Sequence, residues 1–176
     1  MSGTRLAATA LRADAFRDAL ARYPAGVVVV TTSCQGRRAA VIIASFTSAS
    51  LDPPLISYCL KKDSSSGSAL IESEWFAVNF LSDSQSDVAA GCSRSDVDRF
   101  SVAGVWSTGS HGLPFLEGAT VHLMCRRERV IEVGDHFLIV GAVADVRVTE
   151  NRNPLLCCRR SYAGVEKTMS RNQRTI

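Results

Sequence analysis

The residues able to do chemistry fall in short, separate segments. In Ala44-Ser45-Phe46-Thr47-Ser48-Ala49-Ser50-Leu51-Asp52-Pro53-Pro54, hydroxyl side chains recur at 45, 47, 48 and 50. On extended backbone such a stretch offers side-chain and main-chain donors to the edge of a planar polar ligand or to a phosphate. The same pattern also suits an edge strand kept polar against aggregation. A second cluster, Lys61-Lys62-Asp63-Ser64-Ser65-Ser66-Gly67-Ser68, joins two lysines to serines that precede a short helix. That is either a phosphate cradle built on the first free N–H groups of a helix or a flexible linker. In Gly134-Asp135-His136 an imidazole follows a tight turn at the mouth of a strand. There it either faces a ligand or is an exposed side chain beside an Asp that bonds its own backbone.

Much other chemistry lacks support. The chain has no GxGxxG, Walker lysine loop, GxSxG or HExxH, so common dinucleotide, phosphate-loop, hydrolase and zincin assignments find no motif. His111 and His122 lie far apart and far from His136, and both are expected to be structural. Six cysteines (34, 59, 92, 125, 157, 158) include no CxxC pair, which disfavours zinc and a disulfide framework. Several sit in apolar runs, as free buried thiols of a reducing cytoplasm do. No metal site is expected.

The elements that must position these segments follow from pattern. At 176 residues, 46% hydrophobic and 21% charged, the chain is expected to form one globular domain over 1–176. A net charge of +3, scattered along the chain, does not suggest nucleic acid. No apolar run approaches the roughly 20 residues of a membrane span, and no signal segment is evident. A cytoplasmic protein is expected. Leu11, Ala15, Ala19 and Tyr23 recur at helical spacing and predict an amphipathic helix over about 8–22, within a helical N-terminus of about 5–23, stopped by Pro24 and Gly26. The β-branched run 26–32 predicts a buried strand, Gln35-Gly36 a hairpin turn, and 39–44 the return strand, continuing extended to Leu51. Further strands are expected at 55–60, 75–81, 119–126, 129–133, 137–148 and 155–159, with short helices ending at Ile71 and spanning 83–91 behind Ser82 as N-cap. Residues 104–118 read as a long Gly-rich loop and those after Gly164 as a polar tail. Short strands without βαβα alternation predict a mainly β fold, a barrel or a sandwich, with a few short helices.

Taken in order, these segments resemble the flavin reductase family of two-component monooxygenase systems, over roughly residues 15–163. The resemblance is carried by Phe16-Arg17, Tyr23-Pro24-Ala25-Gly26 with the valines to Thr31, and Ser45-Phe46-Thr47-Ser48-Ala49-Ser50-Leu51-Asp52-Pro53-Pro54-Leu55. Phe76-Ala77-Val78-Asn79-Phe80-Leu81-Ser82 with Gln85, Asp98-Arg99-Phe100, Gly134-Asp135-His136 and Pro154-Leu155-Leu156 follow. It implies an FMN-binding split β-barrel with Greek-key connections, reduction of FAD or FMN by NADH or NADPH, and release of reduced flavin to a separate flavin-dependent monooxygenase. It also implies a homodimer, with the flavin near the subunit interface. By the same resemblance Ile43, Ala44, Ser45, Phe46, Thr47, Ser50 and Leu51 line the flavin ring. Lys61, Ser64 and Ser66 hold phosphate, Asn79 and Leu81 pack nearby, and Gly134, Asp135 and His136 lie on the nicotinamide side, His136 being the catalytic candidate. The alternative is a non-catalytic flavin-binding barrel. Ala40-Val41-Ile42-Ile43-Ala44 departs from the family's usual Gly, Met, Thr, Ala and small polar residue, so backbone N–H groups must replace side-chain contacts at 42 and 44. Cys157 and Cys158 stand where aromatics are usual.

Overall fold

In a computed structural model the described residues are 12–94, 97–102 and 104–165. The valine run explains the centre of the fold. In β2 (Val28–Cys34), Val28 and Val30 enter one apolar cluster with Tyr58, Leu60, Phe76 and Ile139, while Val27 and Val29 enter another with Leu81, Leu116 and Leu155. A strand buried on both faces needs no polar alternation. Gln35 and Gly36 take φ of 51° and 76°, the left-handed pair a two-residue hairpin demands, and return the chain as β3 (Arg37–Ile43).

The main sheet has seven antiparallel strands in the order β3-β2-β6-β9-β10-β5-β4, where β4 is Thr47–Leu51, β5 Pro54–Lys61, β6 Trp75–Phe80, β9 Val121–Val133 and β10 His136–Val148. Between β5 and β6 the chain crosses through α2 (Gly67–Glu72), so strands adjacent in sequence are not adjacent in the sheet. The expected mainly β architecture is present. The sheet's two ends, β3 and β4, are joined by the short corner 44–46, which brings them together and closes the sheet toward a barrel.

Several elements differ from expectation. The N-terminal helix, α1, spans Ala13–Leu20, shorter than 8–22; residues 8–11 lie outside the described residues. Of its stripe, Ala15, Ala19 and Tyr23 are exposed among the described residues, as are the neighbouring Phe16 and Leu20. Periodicity specifies an apolar face but not what covers it. The expected strands 119–126 and 129–133 are one strand. Val140 pairs with Arg129 and Gly141 with Arg127, so Glu128 is a bulge that carries β9 through a charged run read as a break. Residues 104–118 contain a hairpin, β7 (Trp106–Thr108) and β8 (Pro114–Leu116), with Leu113 to Leu116 buried. Strands of three residues are too short to show a period.

After α3 (Ser86–Cys92) and α4 (Arg99–Val102), the C-terminal strands β11 (Leu155–Cys158) and β12 (Ser161–Gly164) form a small sheet with β1 (Ala25–Gly26). β12 was not expected, because its turn is made by Arg159 and Arg160 at φ of 52° and 61°, residues that carry no turn signal. Ser82 does begin a helical segment. Gln85 Oε1 accepts the Ser82 N–H at 3.0 Å, ahead of a 3-10 turn over Asp83–Gln85 that leads into α3. No helix among the described residues is long and apolar enough to cross a membrane.

Candidate functional site

The hydroxyl-rich corner is partly consumed by the fold. Ser45 Oγ accepts the Cys59 N–H at 2.9 Å and donates to the Cys59 carbonyl at 3.3 Å, adding one step to the β4–β5 ladder beyond the Thr47–Ser57 pair. Its hydroxyl is therefore engaged by β5. Ser45→Ala is expected to cost about 1 kcal/mol, one net hydrogen bond, and to lower Tm by roughly 2–4 °C. A thermal melt checks it, and an unchanged Tm would show that the corner is held by other contacts. Thr47 Oγ1 donates to the Ser48 carbonyl at 3.3 Å, and Phe46 is half-buried with its ring edge-on to Phe80 at 4.9 Å.

β3 is an edge strand. The Ala40 carbonyl accepts from Arg99 Nη1 at 2.6 Å, so Ala40 turns its backbone away from β2, and by alternation Ile42 does too. An outward main-chain donor at Ile42 thus stands where the sequence lacks a hydroxyl. Ile43, expected to line the ring, has its side chain in the core and its backbone paired with Val28. Asn79 and Leu81, expected to pack near the ligand, sit inside the fold. Both are fully buried, and Asn79 Nδ2 donates to the Val29 carbonyl at 3.0 Å while Oδ1 accepts the Leu116 N–H at 2.9 Å. They stand behind the site and shape it from within. Ser50 and Leu51 lie at the far end of β4: Leu51 pairs with Pro54, whereas His136 pairs with Lys61, seven residues and roughly 23 Å along β5.

Register does bring the 61–66 loop to the Gly134 turn. His136 pairs with Lys61, and the Lys62 N–H donates to the Asp135 carbonyl at 3.1 Å. Gly134, at φ 57°, permits the two-residue connection between Val133 and His136. His136 Nδ1 lies 2.8 Å from Asp135 Oδ1, and this hydrogen bond from His136 holds the Asp135 carboxyl below its ordinary value. With Nδ1–H donated to the carboxylate, Nε2 of the partly exposed ring is left to meet a ligand. On the surface Lys61 pairs with Asp63 at 2.7 Å and Lys62 with Glu132, whose carboxyl is lowered by the Lys62 hydrogen bond.

The cation that serves the serine loop is Arg99, which was visible only as part of the Asp98-Arg99-Phe100 triplet. Its Nη1 donates to Ser66 Oγ at 2.7 Å, while its Nε is buried without a partner among the described residues. Arg99, Ser65, Ser66 and Arg38 border a cavity of about 220 Å³. Ser64 is half-buried and accepts the Gly67 N–H through its carbonyl at 2.9 Å, closing the loop beside it. Four residues on from Ala40, about 13 Å along the chain and just past the end of β3, is a mainly apolar cavity of about 420 Å³ bordered by Ala44, Ser45, Leu20, Tyr23 and Cys157. An apolar cavity at one end, an orphaned guanidinium N–H with serine hydroxyls at the other, and a strand edge between them fit a ligand with a planar ring joined to a phosphate. Of the cysteines only Cys157 borders the apolar cavity. All six are unpaired, and burial pushes the Cys92 thiol up to about 11 and the Cys125 thiol up to about 12.

The flavin reductase like domain model matches residues 20–166. The reductase subunit HsaB of a flavin-dependent monooxygenase from Rhodococcus jostii is 35% identical over 162 residues, 92% of this chain and 82% of that protein. Nitrilotriacetate monooxygenase component B from Mycobacterium thermoresistibile superimposes with a TM-score of 0.86 at 32% identity, covering 93% of this chain and 92% of that one. The NADH:FAD oxidoreductase SgcE6 of Streptomyces globisporus, solved with NAD and FAD fragments, gives a TM-score of 0.83 at 30% identity over 88% of this chain and 93% of that chain.

Proposed function

The chain belongs to the flavin reductase family and is an NAD(P)H-dependent flavin reductase of the two-component monooxygenase type, and from this premise we propose how its residues do the work. The observation that carries the proposal is the pair of cavities on one strand edge. Ala44, Ser45, Phe46 and Thr47 would border the flavin ring, the outward N–H of Ile42 would meet its polar edge, and Ser64, Ser66 and Arg99 would take the phosphate. Bound there, the flavin supplies the ring that accepts hydride from the reduced nicotinamide. The protein needs no activated nucleophile for this, in keeping with the absence of a triad motif. Its contribution is to hold two rings face to face, an arrangement that can be worth about 7–11 kcal/mol. Donors aimed at the pyrimidine end favour the negative charge that reduction places there.

His136 lies on the nicotinamide side, its ring oriented by Asp135. His136→Ala is expected to raise the KM for the pyridine nucleotide about tenfold, or to slow hydride transfer by a comparable factor, while flavin still binds. Steady-state kinetics in both substrates checks this, and unaltered constants would remove His136 from the site. A homodimer accounts for the uncovered apolar face of α1, and the six unpaired thiols suit the cytoplasm. The monooxygenase partner takes up the reduced flavin. The deciding experiment is anaerobic oxidation of NADH and of NADPH with added FAD or FMN, followed at the flavin absorbance. Bleaching is expected; a flavin that binds and stays oxidised would make the chain a non-catalytic flavin carrier.

A further inference from the structure

Arg38 stands on β3 two residues before Ala40, on the same side of the strand as the residue whose carbonyl holds Arg99. Its guanidinium lies 4.5 Å above the Phe100 ring, and Phe100 meets Trp106 edge-on at 4.9 Å. A planar guanidinium laid on an aromatic ring keeps its second face and its fork of N–H groups for another partner. No carboxylate among the described residues pairs with it. Asp98 also borders the cavity, but its Oδ1 accepts the Phe100 N–H at 3.0 Å. Arg38 therefore forms the outer wall of the cavity whose inner wall carries Arg99 and Ser66.

A mononucleotide ends at Arg99 and Ser66. A dinucleotide continues outward with a second phosphate and an adenine ring, and the Arg38 wall offers one group for each: the N–H fork for the phosphate, the flat face for the ring. We infer that Arg38 is a specificity-determining residue that makes this reductase favour FAD over FMN by receiving the adenylate half of FAD. This rests on the placement of the flavin given above.

The test is the dissociation constant of FAD and of FMN, measured by quenching of flavin fluorescence for the wild type, Arg38→Leu and Arg38→Gln, each first shown to be folded by its thermal melt. The wild type is expected to bind FAD more tightly than FMN, and both variants to lower the FAD-to-FMN affinity ratio about tenfold, the weight of one charge-assisted contact. An unchanged ratio in variants that still bind both flavins overturns the role of Arg38 and leaves the flavin site standing. Wild-type protein that binds neither flavin overturns the site itself. A shift in the NADPH-to-NADH KM ratio in place of the flavin ratio would assign Arg38 to the pyridine nucleotide and overturn the inference.

Discussion

Asn79→Leu is expected to lower the unfolding free energy by about 3 kcal/mol and Tm by roughly 6–12 °C, although the new side chain is apolar and of similar size. Asn79 is fully buried at the centre of the sheet, on β6. One side of its amide bonds the Val29 carbonyl of β2 and the other accepts the Leu116 N–H of β8, so it ties the β7–β8 hairpin to the main sheet. Leucine leaves that buried N–H without an acceptor and the carbonyl without its side-chain donor, and each such loss costs about 1–3 kcal/mol. The hairpin carries Leu113 and Leu116, both fully buried, so its loosening reaches the core. A thermal or denaturant melt checks the prediction. A fall in Tm below about 2 °C would mean that the hairpin is held by its apolar contacts alone.

Arg99→Leu is expected to weaken flavin binding roughly 100-fold, about 2.7 kcal/mol. The change removes a cation from the end of the site proposed to take the phosphate, and a hydrogen bond to a charged group is worth about 1.5–3 kcal/mol. It also frees the Ala40 carbonyl and Ser66 Oγ, which Arg99 Nη1 now holds at 2.6 and 2.7 Å. The loop and the strand edge lose their common anchor, so the loss reaches past the contact itself. Arg99→Lys is expected to fall between the two, because an ammonium keeps the charge but not the planar fork that serves loop, strand and ligand together. Titration of flavin fluorescence measures all three proteins. Equal affinity in the wild type and Arg99→Leu would place the phosphate elsewhere.

Local pattern was informative where an element's own residues decide its conformation. Val27 to Val30 announce a strand buried on both faces, Gln35-Gly36 and Gly134-Asp135 announce two-residue turns, and Ser82 announces a helical start. Pattern misled where a distant partner decides. The charged run at Arg126 to Arg129 reads as a break, yet Glu128 bulges and β9 continues, with Gly141 opposite leaving room for the Phe76 ring. A Cβ at Gly141 would lie 2.4 Å from Phe76 Cζ, so the bulge, the glycine and the ring are one arrangement that no single segment displays.

The order of segments from Tyr23 to Leu156 by itself determined the family, the mainly β fold and the stretches where flavin chemistry is to be sought. Side-chain type and spacing are local quantities, and they suffice for that. Only the tertiary structure decided which polar groups remain for a ligand. It engages the Ser45 hydroxyl with Cys59 and the Asn79 amide with the core, and it sets Arg99, remote in sequence, against Ser66 and the edge of β3. The physical reason is that a buried or paired polar group is satisfied by whichever partner folding brings within about 3 Å, and that partner is named by strand register and chain crossing, not by sequence neighbours.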